Sequence, residues 1–142
     1  MERRFEEKTV RKALQRGYVD AQRLLASPSQ TQKFLLRLEE KEEVVRTVGE
    51  PLAAVPVLER LLRRYLDGEY TAISAAAMAQ VVSALLYFVS PWDLYPDSVP
   101  GKGYADDAAV LDCCWKLCQP ELEAYLAWER EQLVCRNGSA GA

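Results

Sequence analysis

The sequence predicts an all-α protein, a single-domain helical bundle of about five to six helices. Apolar residues recur at three- and four-residue steps through most of the chain, as on one face of a helix. Proline and glycine gather at short breaks and leave no long linker or repeat. Between the amphipathic segments, Tyr70 to Trp92 contains no charged residue, and a helix apolar all round has to be covered on every side. With 142 residues, 49% of them hydrophobic, the chain has material for one core.

The first helix is expected over residues 5–26, with Val10, Leu14, Tyr18, Ala21 and Leu25 inward. Ser27-Pro28-Ser29 ends it and starts the second, since serine before proline is good helix-start chemistry. The second carries Phe34, Leu35, Leu38, Val45 and Val48, has Glu39, Glu40, Glu42 and Glu43 outside, and stops at Gly49. A third begins around Pro51 or Pro56 and holds Val55, Leu58, Leu61, Leu62, Tyr65 and Leu66 inward until Asp67-Gly68. On its polar face Glu59 and Arg63 stand in the favourable i, i+4 order, while Arg60 and Arg64 form a second basic column with no partner in the helix.

The uncharged run is long enough to cross a bilayer. Thr71, Ser74, Gln80 and Ser83 dilute it, however, and Asp106, Asp107, Asp112 and Lys116 interrupt the apolar segment that follows. The reading favoured is the central helix of a soluble bundle, with Ala72, Ala75, Ala76 and Ala79 as a small-residue packing face. Two more helices are expected, from Tyr104 to about Cys118 and from Pro120 to about Cys135. In the first, Asp106-Val110-Cys113-Leu117 and Asp107-Leu111-Cys114-Cys118 both face inward, and Asp112 pairs with Lys116 outside. Residues 1–50 make an N-terminal helical pair, 51–135 the remaining helices of the same domain, and 136–142 a flexible tail.

Formal net charge is −3 and histidine is absent. Without histidine there is no Ser-His-Asp or Cys-His nucleophile pair and no histidine-ligated zinc. Residues 1–25 carry seven Lys/Arg against four acids, and residues 71–142 carry four against nine. That dipole can orient self-association or a protein partner, whereas interleaved acids argue against nucleic acid. MERRFEEKTVRK lacks the apolar core of a secretory signal, which points to the cytoplasm. Cys113, Cys114, Cys118 and Cys135 have neither disulfide-framework nor zinc-ribbon spacing and read as small apolar residues.

The densest chemistry is SPWDLYPDSVPGKGYADDAAV, residues 90–110. Ser90, Pro91 and Asp93 match a helix start, and Tyr95 before Pro96 limits that helix to about one turn. Asp106 and Asp107 in the first turn of the next helix each gain about 0.3–1 kcal/mol from its dipole. Asp97 is left without a capping role. The alternative is that Asp93, Asp97, Asp106 and Asp107 converge on a divalent cation. Oxygen ligands suit Mg²⁺, Mn²⁺ or Ca²⁺, and two carboxylates 4 Å apart repel by about 4 kcal/mol at an effective dielectric of 20. In that case Arg60 or Arg64 holds a phosphate and Lys102 sits at the rim, the outline of a metal-dependent phosphohydrolase. Trp92 and Tyr95 instead suit the aromatic anchors of an interface, with Arg60 and Arg64 meeting an acidic partner.

ALLYFVSPWDLYPDSVPGKGYADDAAVL resembles the signature of the YkvA-like family, small helical domains without an established biochemical function. The pattern is an apolar helix, Ser-Pro-x-Asp-Leu-x-Pro-Asp, a Pro and Gly spacer, and an Asp-Asp pair opening another apolar helix. It is met by Ser90, Pro91, Asp93, Leu94, Pro96, Asp97, Pro100, Gly103, Asp106 and Asp107. The resemblance covers about residues 55–118 and implies a fold and a shared surface but no reaction. Relatives often have branched apolar residues at Trp92 and Tyr95, and Ser98 and Lys102 make this version more polar, which weakens a membrane role inferred from them. The residues favour a non-enzymatic interaction or scaffold module with a structural Asp/Pro turn, ahead of the metal site and of peripheral membrane association.

Overall fold

The computed structural model describes residues 7–89 and 105–141. Among them every regular element is helical: α1 (Glu7–Leu25), α2 (Pro28–Glu40), α3 (Glu42–Val48), a 3-10 turn (Glu50–Leu52), α4 (Ala54–Leu66), α5 (Ala75–Val89), α6 (Ala105–Leu117) and α7 (Gln119–Gly141). The all-α class is as expected. The helix count is higher because the second expected helix is two.

That division falls at Lys41, between α2 and α3. Glu39, Glu40, Glu42 and Glu43 crowd like charge there, including an i, i+4 pair that weakens a continuous helix. Lys41 takes up the bend with φ −95° and ψ 2° and places its ammonium 5.3 Å from the centre of the Phe88 ring. Gly49 then stops α3 at φ 81° and ψ −128°, a combination closed to residues with a β-carbon. Pro56 is the third residue of α4, where its missing N–H has no acceptor to lose.

α5 is the axis of the molecule. Ala77, Met78, Ala79, Val81, Val82, Ser83, Ala84, Leu85, Tyr87 and Phe88 are all buried. Its most extensive neighbour is α1, followed by α6 and α4. The buried stripe of α1 is Val10, Leu14, Gly17, Ala21 and Leu24. It runs one residue off the expected line, leaving Tyr18 and Leu25 half-buried. The Ser83 hydroxyl crosses to α1 and donates to the Leu14 carbonyl at 2.6 Å. The expected alanine face is corrected too: Ala75 and Ala76 are exposed and Ala72 precedes the helix, so only Ala79 packs inside.

α5 has 15 residues, so it is about 22 Å long, against about 30 Å for a bilayer's hydrocarbon core. Among the described residues no helix is long and apolar enough to cross a membrane. Its start is capped instead. The Ala77 N–H donates to Ser74 Oγ at 3.1 Å. Glu121, in the first turn of α7, accepts from the Ser74 N–H at 2.7 Å and from its hydroxyl at 3.3 Å. That carboxylate stands where the α5 dipole favours a negative charge.

α6 and α7 are separated by Cys118 alone. The Cys118 N–H donates to the Cys114 carbonyl and Leu122 N–H to that of Cys118, while Pro120 supplies no donor. Helical hydrogen bonding thus continues through the junction. α7 also extends beyond Cys135, where the sequence pattern ended it, as far as Gly141.

Truncating Leu85, fully buried in α5, is expected to cost about 2–5 kcal/mol in urea unfolding of Leu85→Ala. Leu133→Ala, at a site 62% exposed, is expected to stay within about 0.5 kcal/mol of the parent.

Candidate functional site

Asp93, Asp97, Trp92 and Tyr95 lie outside the described residues. Asp106 and Asp107 are the second and third residues of α6, the first-turn position expected from capping. Two thiol contacts give the direction of α6 against α5. Cys114 Sγ donates to the Gln80 carbonyl at 3.5 Å, and Cys118 Sγ to that of Ala77 at 3.9 Å. Higher numbers on α6 face lower numbers on α5, so the helices are antiparallel. The end of α5 and the start of α6, which residues 90–104 join, therefore share one end of the bundle.

On α6 the stripe Leu111, Cys114, Cys118 is buried throughout, whereas the stripe through Val110 and Cys113 surfaces at Leu117, 45% exposed. The hydrogen bond with Cys118, and then burial, push the Cys114 thiol well up, which keeps it protonated and apolar in character. Cys113, Cys114 and Cys118 are buried, as expected, and Cys135 is exposed. Asp112 and Lys116 pair at 3.1 Å on the outer face.

Arg60 and Arg64 are not an unpaired column. Ala53, just before α4, and Ala54 and Val57 on it share a groove with Ala108, Leu111 and Trp115 of α6. One to two turns further on, the α4 arginines meet α7. Arg60 grips Glu129 with both ends of its fork, Nε to Oε2 at 2.7 Å and Nη2 to Oε1 at 2.9 Å. Arg64 Nη2 stands 3.8 Å from Glu129 Oε2, and the Tyr125 hydroxyl donates to that oxygen at 2.8 Å. The Arg64 guanidinium also lies 5.3 Å from the Trp128 ring centre. Trp128 in turn leans on Tyr70 at 4.9 Å and stacks with Tyr125 at 6.0 Å. Arg63, the other expected pair, bonds Glu59 on its own helix at 3.0 Å and Glu39 of α2 at 2.9 Å.

The electrostatics of this cluster favour holding over proton transfer. The hydrogen bond from Arg60 is the largest influence on Glu129 and lowers its pKa against the opposing effect of burial. The same bond raises Arg60. Burial first, then the hydrogen bond to Glu129, push Tyr125 up to about 12. A carboxylate kept charged beside a phenol kept protonated makes a poor acid–base pair near neutrality. Glu129 went unnoticed in the sequence because its partner is 69 positions away. The local signal was Tyr125, one turn before it on the same face.

On either side of α4 lies a groove. One, of about 390 Å³, is bounded by Arg60, Arg64, Leu126, Glu129, Arg130 and Leu133. The other, of about 380 Å³, includes Leu38, Val45, Arg46, Val55, Pro56 and Arg63. Arg60 borders both. Among the described residues no three Cys, Asp or Glu side chains are grouped to hold a metal ion.

Residues 77–111 match a family described as a protein of unknown function, DUF1232. The match runs from α5 across the aspartate segment to Leu111 of α6. The uncharacterized membrane protein YkvA of Bacillus subtilis (strain 168) is 38% identical over 69 residues, which are 49% of this chain and 65% of the relative. The match thus spans slightly less than two thirds of that relative's length. No solved structure matches the chain.

Because the folded pKa of Glu129 is depressed, its contribution to stability is present above the unfolded value and is lost as pH falls through the folded one. Glu129→Gln should therefore melt below the parent by a constant margin from about pH 5 to 8. The margin should close below about pH 4. Melting temperatures across that range check it.

Proposed function

We propose that this chain, whose residues 77–111 match a family of unknown function, is a non-enzymatic, cytoplasmic interaction module of the YkvA-like kind, with its aspartate segment as a structural clasp. The observation that carries the reading is the antiparallel seating of α5 on α6. A segment joining two buried helices at one end of a bundle has a structural task, and helix-capping chemistry suits it. Trp92 and Tyr95 are its aromatic contacts for a partner, and the arginine face of α4 is the second contact. In Trp92→Ala with Tyr95→Ala the monomer should stay folded and lose assembly; unfolding would make both core residues.

The competing metal reading makes Asp93, Asp97, Asp106 and Asp107 ligands for Mg²⁺, Mn²⁺ or Ca²⁺. Thermal unfolding with and without each ion, on the parent, Asp97→Asn and Asp107→Asn, separates the two. The clasp predicts no metal-dependent shift and two variants that are simply less stable. A ligand at a hundred times its dissociation constant adds about 2.7 kcal/mol, or roughly 5–10 °C. A shift of that size, lost in both variants, would replace the clasp by a metal site.

A second reading, peripheral membrane association, is favoured by one observation: the relative carries the printed name of a membrane protein. With α5 about 22 Å long and enclosed by α1, α4 and α6, this reading needs a surface contact. Flotation with anionic and neutral vesicles tests it, and recovery in the soluble fraction without detergent counts against it.

A further inference from the structure

We infer that the outer flank of α1 docks the chain on an anionic lipid surface, with Lys8, Lys12, Arg16 and Arg23 turned to the headgroups. This rests on the peripheral-membrane reading and supplies the surface contact that reading needs.

Charge is the first argument. At about 100° per residue, Lys8, Lys12, Arg16, Val19 and Arg23 fall within an arc of about 80°. The arc lies roughly opposite the buried stripe of Val10, Leu14, Gly17, Ala21 and Leu24, and all five of its residues are exposed. It holds four cations and no acid, since Glu7, Arg11 and Asp20, the other charges of α1, lie outside it. Among the described residues none of the four cations is in an ion pair. The adjoining helices do not cancel this excess. α1 and α2 together carry seven Lys/Arg against four acids, and one of those acids, Glu39, is turned to Arg63 of α4. On α6, Asp112 is matched by Lys116, while Asp106 and Asp107 stand in the first turn, where the helix dipole offsets them. The chain as a whole is at −3, so the positive charge is local to this flank.

Shape and the one apolar member of the arc select lipid. The larger grooves of the molecule border α4 or α7. The α1 flank is instead the convex side of a helix, running about 22 Å from Lys8 to Arg23. A line of cations on a convex ridge meets a plane of headgroups along its whole length. Val19, 50% exposed, lies within the arc. At a bilayer such a side chain reaches the boundary of headgroups and acyl chains. A nucleic-acid backbone offers it nothing comparable. Attachment by adsorbed charge is also reversible and weakens as salt rises.

The test is flotation of the full chain with vesicles of phosphatidylserine and phosphatidylcholine, against phosphatidylcholine alone and against a duplex DNA oligonucleotide. Binding to the anionic vesicles should be at least about tenfold tighter than to neutral ones. Lys12→Glu with Arg16→Glu should lose at least about tenfold, and Lys12→Gln with Arg16→Gln a smaller part, both keeping the parent's circular dichroism and melting temperature. The same charge reversal elsewhere, Lys116→Glu with Arg130→Glu at exposed positions of α6 and α7, should lose less than about threefold. Anionic binding that survives reversal on α1 would overturn the inference and leave the peripheral-membrane reading standing on another surface. Equal binding to neutral vesicles, or DNA bound as tightly as the anionic ones, would overturn it as well. Binding to neither vesicle removes the inference and the peripheral-membrane reading together.

Discussion

From Ala77 to Phe88, α5 offers water almost nothing, and its neighbours are arranged around that fact. Each large apolar side chain moved out of water contributes about 1.5–3 kcal/mol, so Met78, Leu85, Tyr87 and Phe88 need walls in several directions at once. α1, α4 and α6 supply them. The polar atoms drawn inside are few and mostly closed off, Gln80 Oε1 on α5 being buried without a hydrogen-bond partner. Ser83 donates to a carbonyl of α1, and the thiols of α6 donate to carbonyls of α5. An unsatisfied donor in such a setting costs more than a made bond gains. Small side chains at these crossings let the helices approach closely enough for those bonds.

The surface is organised differently, through arginine and glutamate. α2 is tied to α4 by Glu39 and Arg63, and α4 to α7 by Arg60 and Glu129. The aromatic group of Tyr70, Tyr125 and Trp128 lies beneath the second tie. It limits water around Glu129 and strengthens the pair relative to a fully exposed one. Stability and a charged outer face thus come from the same residues on α4.

Much of this was legible in the sequence because it is local. The α4 stripe of Val55, Leu58, Leu61 and Leu62, the Glu59–Arg63 and Asp112–Lys116 pairs, and the buried cysteines of α6 all follow from helical spacing. The misses are tertiary or arise where two local rules compete. Periodicity carried the second helix through Lys41, while repulsion among its glutamates ended it there. On α1 periodicity put Tyr18 on the inward line, whereas the folded helix buries Gly17 and leaves Tyr18 half-buried. Leu117 surfaces because α6 has reached its last turn. Arg60 and Arg64 were recognised as a pair, yet spacing within α4 says nothing about a carboxylate on α7. Of the aspartate segment, only the backbone placement of Asp106 and Asp107 can be compared with expectation, and it agrees.

Two carboxylates on α7 hold different helices: Glu121 at the start of α5, Glu129 on the arginines of α4. They lie eight positions apart, a little over two turns, which sets them about 80° apart around the helix axis. Together they act as a key with two teeth, fixing the rotation of α7 and its position along its own axis. Removing one residue between them would turn one tooth about 100° relative to the other and draw it 1.5 Å along the axis, so both could not engage. The spacing of 121 and 129 therefore constrains the length of this stretch more tightly than the identity of the side chains between them.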